Sequence, residues 1–158
     1  MMDYVIVEGP TPALRIAAIH DRATMPDLAR KIERHVGTAV KALRKAHRAF
    51  GRAAVVYWDH EDERSLIETP DGVEIDVGWE IDAPFDDHLT GIVTVMTPAG
   101  PAARTTHVGP YEDLHEAHRA VREWCRKQGH RKIGPNWEVY DHQEEGRPAR
   151  ADVFYLIG

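Results

Sequence analysis

The sequence predicts an α+β fold in which a strand-helix-strand-strand unit occurs twice and builds one curved antiparallel sheet. Three observations indicate this. Apolar and acidic or glycine positions alternate strictly over 73–81, two helical stripes of apolar residues follow strand-like segments, and the second half repeats the first. One unit cannot bury both its sheet face and its helix stripe. We therefore expect two units side by side, with both helices on one face and a ligand groove on the other.

The first pseudo-repeat covers residues 1–85 and is predicted to be mostly strand around one helix. Its strands are expected at Tyr4–Glu8, Ala13–His20, Ala53–Trp58 and Val73–Ile81. Pro26 and Asp27 open the helix, and Gly51 is expected to end it. Its apolar stripe consists of Leu28, Ile32, Val36, Val40 and Leu43. The acidic segment Asp59–Arg64 is predicted to be a turn.

The second pseudo-repeat covers residues 90–158 and follows the same order, after a strand at Ile92–Met96. The segment 101–107 echoes 12–20, and Asp113-Leu114 repeats Asp27-Leu28 at the helix start. The second helix carries the stripe Ala117, Val121, Trp124 and Cys125 and is expected to end at Gly129. A strand around Val139-Tyr140 and a final strand at Asp152–Ile157 complete the copy. We expect one domain over residues 1–158.

Composition narrows the classes of function. The chain has 158 residues, 42% of them hydrophobic, and no apolar stretch approaches the ~18 to 20 residues of a membrane span. The first residues resemble no secretory signal, and Cys125 is the only cysteine, so we expect a cytoplasmic protein without disulfides. A net charge of −6 disfavours binding to nucleic acid.

Metal and cofactor chemistry is not expected. His115, Glu116 and His118 lie together on the second helix, but the histidines are three residues apart instead of the four of a zinc-protease helix, and no third ligand is evident. No glycine-rich phosphate loop is present. Cys125, on the apolar stripe, is interpreted as an inert core thiol.

Two segments carry a family resemblance. The run His107–Leu114 (HVGPYEDL), a helix, and then Gly134–Tyr140 (GPNWEVY) resemble the GyrI-like small-molecule-binding family in order and spacing. The resemblance implies the duplicated fold described above. It also implies a role like that of the effector-binding part of multidrug-sensing transcription regulators. In the family, the glutamate that matches Glu138 lies at the floor of the pocket and meets the ligand.

Glu138 is the centre of the predicted site. In a strand, Glu138 and Tyr140 share one face, and Trp137 and Val139 share the other. A desolvated carboxylate needs compensation by hydrogen bonds or by a cation, whereas an exposed glutamate on an edge strand would need none. Aromatic rings bind flat cations, and the repeat pairs Tyr57 with Tyr140. The expected ligand-binding residues are Tyr57, Trp79, Tyr111, Glu138, Tyr140 and Tyr155.

Three functions remain open at this stage. The first is the binding of an aromatic, cationic, drug-like small molecule at Glu138. The second is hydrolysis of cyclopropane-bearing, DNA-alkylating natural products, as some stand-alone members of the family perform, with Glu138 as general base and Tyr140 or Tyr111 as hydrogen-bond donor.

The third function is a protein interaction, as in the gyrase inhibitor that gives the family its name. It would use the basic face of the first helix, which is otherwise a solvated surface. Direct nucleic-acid binding is not expected, because both helices are used by the repeats, and no membrane partner is expected. The basic residues of the segment are Arg30, Lys31, Arg34, Lys41, Arg44, Lys45, Arg48 and Arg52.

Overall fold

The computed structural model describes residues 3–58, 71–141 and 148–158, so the turn expected at Asp59–Arg64 lies outside the described residues. The strands are β1 (Val7–Thr11), β2 (Arg15–Ala23), β3 (Ala53–Tyr57), β4 (Val73–Glu80), β5 (Ile92–Met96), β6 (Gly100–Val108), β7 (Lys132–Tyr140) and β8 (Arg150–Ile157). The helices are α1 (Met25–Lys45) and α2 (Leu114–Gln128). A short 3-10 helix, Tyr111–Asp113, precedes α2. Within the described ranges, neither helix is long and apolar enough to cross a membrane.

All eight strands form one antiparallel sheet in the order β1-β6-β8-β7-β3-β4-β2-β5. The order confirms the predicted duplication, because β2-α1-β3-β4 and β6-α2-β7-β8 are the two strand-helix-strand-strand units, joined where β3 pairs with β7. Each half also contributes a leading strand to the other half. Strand β1 pairs with β6, and β5 pairs with β2. The two halves are therefore interlocked through exchanged edge strands.

The chain connection from β1 to β2 requires the sheet to curl. In a flat sheet these strands would be six spacings apart, about 29 Å at ~4.8 Å each. Only four steps separate Thr11 from Arg15, a reach of about 14 Å. Leu14, in this connection, packs with residues of the helix-free face. The helix-free face is therefore the concave one.

Both helices pack on the convex face. The stripe of α1 meets β2 and β4, where Leu28, Ile32 and Val36 contact the cluster of Val55, Val73, Ile75 and Val77. The stripe of α2 meets β6 and β8 through Leu114, Ala117, Val121 and Cys125, all buried. Cys125 is thus a core thiol, as expected.

The helix ends differ in how well the sequence predicts them. Helix α2 ends at Gly129, which adopts the left-handed conformation with φ 76° as expected for a C-terminal glycine. Helix α1 ends at Lys45, several residues before the predicted stop at Gly51. His47 there adopts φ 55°, and its N–H bonds the carbonyl oxygen of Arg44. The left-handed residue after α1 is therefore His47, whereas the sequence analysis expected Gly51 to end this helix.

Candidate ligand-binding site

Glu138 lies on the helix-bearing face of the sheet. Its register partners are Val55 on β3 and Val153 on β8. Val55 packs in the core cluster that α1 covers, and Val153 in the cluster that α2 covers. Glu138 is therefore at the seam between the two helices. This corrects the expectation that the groove around Glu138 would lie on the helix-free face. Alternation along a strand predicts which residues share a face. The register between strands is needed to show which face the helices cover.

The Glu138 side chain is buried, with 3% of the residue exposed, and both carboxylate oxygens accept hydrogen bonds. Tyr57 and Tyr140 donate their hydroxyl hydrogens to Oε1 at 2.9 and 2.5 Å. His118 Nε2 lies 2.6 Å from Oε2. Three donors from β3, β7 and α2 thus converge on one acid, and the compensation that a buried carboxylate needs is provided by hydrogen bonds.

A second layer of hydrogen bonds connects His118 to Tyr155 and Arg122. Arg122 donates to the hydroxyl oxygen of Tyr155 at 3.3 Å, and this hydroxyl lies 2.7 Å from His118 Nδ1. Because arginine only donates, the Tyr155 oxygen accepts from Arg122, and the Tyr155 O–H can donate to Nδ1. Tyr155 thus links Arg122 to His118.

The phenols around Glu138 are neutral donors. Burial, and after it the charge of Glu138, raises the pKa of Tyr57 and of Tyr140 well above the ordinary value. Burial also raises the pKa of Tyr155 to about 12, although the nearby Arg122 guanidinium lowers it. These phenols therefore keep their protons near neutral pH, and Tyr57 and Tyr140 hydrogen-bond the carboxylate without balancing its charge.

Aromatic rings surround the acid. Tyr111 meets Tyr140 edge to face, with 5.0 Å between ring centroids, and Tyr57 meets the His118 ring in the same way at 6.1 Å. Tyr111 is 38% exposed. It comes from the 3-10 helix before α2, so it forms the solvent side of the aromatic group. We call Tyr57, Tyr111, His118, Glu138, Tyr140 and Tyr155 the Glu138 cluster.

One residue proposed for the pocket lies elsewhere. Trp79 packs edge to face on Phe50 at 5.2 Å and donates its indole N–H to the carbonyl oxygen of Val36. It belongs to the core beneath the C-terminal half of α1, with Leu43. The structure therefore brings together Tyr57, Tyr111, Glu138, Tyr140 and Tyr155 but not Trp79.

Sequence reasoning missed His118 and Arg122. It considered His118 only together with His115 as a metal site, yet the two rings point to different surroundings. His115 is exposed and bonds a backbone carbonyl, that of Glu112, whereas His118 reaches Glu138. Across the described ranges, no group of histidine, cysteine and carboxylate side chains has the arrangement of a metal site.

The concave face has a separate depression of about 350 Å3. Leu14, Ala102 and Phe154 give it an apolar lining, and Arg52, Arg104 and Asp152 add charge. It occupies the face on which the groove was expected. The sheet separates it from the Glu138 cluster, because Trp137, the neighbour of Glu138, faces this side and stacks on Phe154 at 5.3 Å.

The basic face of α1 is partly neutralised. Lys31 and Arg34 lie 3.5 and 3.8 Å from the Asp21 carboxylate, and Arg30 lies 3.0 Å from Asp27. Although burial opposes it, hydrogen bonds from His35 and from the Arg22 N–H lower the pKa of Asp21. Asp21 is therefore an anion that anchors α1 to β2.

Comparison with known proteins identifies the family. The model of the GyrI-like small molecule binding domain matches residues 2–157. The chain belongs to this family. No curated protein matches the sequence.

Solved structures share the fold of this GyrI-like domain. The C-terminal domain of EcmrR has TM-score 0.74 at 14% identity, with 99% of both chains covered. EcmrR in a complex with DNA has TM-score 0.75 at 15% identity, and the match covers 98% of this chain and 57% of that one. A hydrolase from Listeria innocua has TM-score 0.60 at 10% identity, covering 97% and 91%. SAV2435 bound to tetraphenylphosphonium has TM-score 0.57 at 9% identity, covering 99% and 94%. At such identities the likeness shows the fold.

Proposed function

We propose that the Glu138 cluster binds a lipophilic aromatic cation. The observation that carries the proposal is the electrostatics of Glu138. The carboxylate is buried, and its direct partners are the neutral phenols of Tyr57 and Tyr140 and the imidazole of His118. Among the described residues, no lysine or arginine forms an ion pair with Glu138 to supply a balancing positive charge. A ligand cation would supply that charge at a site with little competing water.

The rings favour a cation of a particular kind. Aromatic faces attract cations by ~0.5 to 2 kcal/mol each, most strongly when the cation is poorly hydrated. Both Glu138 oxygens already accept hydrogen bonds, so a cation with a delocalised or shielded charge does not need to displace Tyr57 or Tyr140. Tetraphenylphosphonium, the ligand of the similarly folded SAV2435, has these properties and is the probe we choose.

Calorimetric titration with tetraphenylphosphonium tests the proposal. The wild-type domain is expected to bind it, and Glu138→Gln, which keeps the shape of the side chain and removes the charge, is expected to bind at least about tenfold more weakly. Glu123→Gln is the matched control, because Glu123 is a half-exposed acid on α2 whose partners among the described residues are Arg126 and Lys127. Triphenylphosphine oxide offers similar rings without the charge and is expected to bind weakly. Equal affinity of the wild type and Glu138→Gln would refute the cation site.

A second candidate function is hydrolysis of a cyclopropane-bearing electrophile. The observation in its favour is the hydrogen bond between His118 and Glu138, with two phenol donors beside the acid. Glu138 would act as general base on a water, and Tyr140 would stabilise negative charge on a substrate carbonyl oxygen. Loss of a cyclopropane compound, followed by mass spectrometry, distinguishes the two. Turnover that disappears in Glu138→Gln supports the enzyme, and an unchanged compound opposes it.

A further inference from the structure

Arg122 is a cation near a site that we expect to bind cations, and the geometry around it points to a specific task. We propose that Arg122, acting through Tyr155, holds His118 neutral and so keeps the negative charge of Glu138 available to the ligand. This inference rests on the proposed function. Arg122 is then a positioning residue, three hydrogen bonds away from the carboxylate.

In the proposed arrangement, the donors along the chain of hydrogen bonds all point from Arg122 towards Glu138. Arg122 has no acceptor atom, so the Tyr155 oxygen accepts from it at 3.3 Å. The Tyr155 hydrogen then goes to His118 Nδ1 at 2.7 Å, and the hydrogen on Nε2 goes to Glu138 at 2.6 Å. Tyr155 is 4% exposed, so bulk water offers no other partner.

A protonated His118 would break this chain. Its Nδ1–H would have to donate to the Tyr155 oxygen, which would then accept from two cationic groups. The Tyr155 O–H would lose its acceptor in a buried position, at a cost of about 1–3 kcal/mol for an unsatisfied group. The guanidinium also repels an imidazolium placed one hydroxyl group away. Arg122 thus disfavours protonation of His118, and a protonated His118 would otherwise balance the charge of Glu138.

The other described residues around His118 do not disfavour its protonation. Glu138 on β7 favours a proton on His118, and the Tyr57 ring on β3 contacts the imidazole edge to face without adding charge. Helix α1 contributes apolar side chains to the adjoining cluster, among them Ile32. Among the described residues around His118 and Tyr155, Arg122 is therefore the charged group that disfavours a proton on the imidazole, whereas Glu138 favours one.

The inference predicts an effect opposite to simple charge repulsion. If Arg122 only repelled the ligand, its removal would strengthen cation binding. In our account its removal frees the Tyr155 hydroxyl to accept from Nδ1–H, and His118 becomes protonated. The imidazolium then neutralises Glu138, so a cation must displace a proton in order to bind.

Calorimetry in buffers with different ionisation enthalpies measures both effects. With tetraphenylphosphonium at pH about 7, the wild type is expected to bind without net proton exchange, whereas Arg122→Gln binds about three- to tenfold more weakly and releases a proton fraction. Arg122→Lys, which keeps a charged donor, is expected to behave more like the wild type. Arg126→Gln is the control, because the Arg126 side chain is 71% exposed on the same helix and, within the described part of the chain, pairs with Glu123.

Two results would overturn the inference while leaving the cation site intact: tighter binding by Arg122→Gln without proton release, or proton release by the wild type.

Nitrogen-15 NMR of His118 without ligand gives a readout that does not depend on binding. The wild type should show the neutral form protonated at Nε2, and folded Arg122→Gln should show the imidazolium. If tetraphenylphosphonium does not bind the wild type, the proposed function is refuted, and identical NMR spectra of His118 in both proteins would refute the positioning role separately.

Discussion

Val55 and Glu138 occupy equivalent positions in the two halves and face each other where the halves meet. They are register partners of β3 and β7, and the pairs on either side are Ala53 with Tyr140 and Tyr57 with Asn136. A two-fold rotation about the Val55–Glu138 pair exchanges Tyr57 with Tyr140. The first half therefore has a buried valine where the second half has the acid.

The histidine is also without a polar counterpart. The offset that relates Asp27-Leu28 to Asp113-Leu114 relates Ile32 to His118. Ile32 packs on the core cluster that contains Val55. Apolar side chains at these two positions in the first half are thus replaced by a hydrogen-bonded histidine and glutamate in the second half.

This exchange predicts that His118 and Glu138 are energetically coupled. Glu138→Val leaves His118 and two phenols without their acceptor, and His118→Ile leaves Glu138 Oε2 without its donor. Each single change is expected to destabilise the domain. The double variant, which restores the apolar pair of the first half, should lose less than the sum, with a coupling of about 1–3 kcal/mol. Urea denaturation of the four proteins measures the cycle, and additive effects would show that the residues act independently.

Local pattern was enough to predict most of the fold and the residues that share a face with Glu138, whereas the choice of Glu138 as the central acid came from the family resemblance. The alternation around Glu138 predicted that Tyr140 shares its face, and the repeat predicted Tyr57 beside them, because both depend only on strand geometry. Two features could not be predicted in this way: the exchange of β1 and β5 between the halves, and the position of Glu138 on the helix-covered face. Both depend on the register between distant strands, and the periodicity of a single sequence carries no information about that register. His118 could have been found as a break in the repeat, since its counterpart is Ile32.

The buried phenols predict a loss of stability in alkali. Their pKa values are raised in the folded state, that of Tyr155 to about 12, whereas an unfolded tyrosine titrates near pH ~10. Their contribution is therefore complete below pH ~10 and is lost as the pH rises towards the folded values. Circular dichroism, with phenolate absorbance recorded alongside, should show unfolding and ionisation together above pH ~10. Tyr57→Phe should make the decline shallower, and phenolate absorbance appearing near pH ~10 in a domain that stays folded would contradict this account.

Substitution of Tyr111 is expected to change the affinity for the ligand without changing the stability of the fold. Its ring is 38% exposed and contacts Tyr140 edge to face, so it contributes more to the rim of the site than to the core. Tyr111→Ala is expected to weaken tetraphenylphosphonium binding by about two- to fivefold, the worth of one exposed cation–π contact. Tyr111→Phe keeps the ring and should bind like the wild type. If Tyr111→Phe loses as much affinity as Tyr111→Ala, the hydroxyl group matters and the cation–π explanation is wrong.

Substitution by alanine is expected to change the stability of the domain in opposite directions at two glycines. A Cβ on Gly78 in β4 would lie 1.7 Å from the carbonyl oxygen of Ala17 in β2, and backbone atoms cannot move aside without breaking the strand pairing. Gly78→Ala is therefore expected to destabilise the domain by about 3 kcal/mol. Gly37 in α1 has open space at the same point, so Gly37→Ala should stabilise by ~0.5–1 kcal/mol through helix propensity. Urea denaturation midpoints of the two variants should move in opposite directions; a tolerated Gly78→Ala would mean that β2 and β4 do not approach as closely as their register requires.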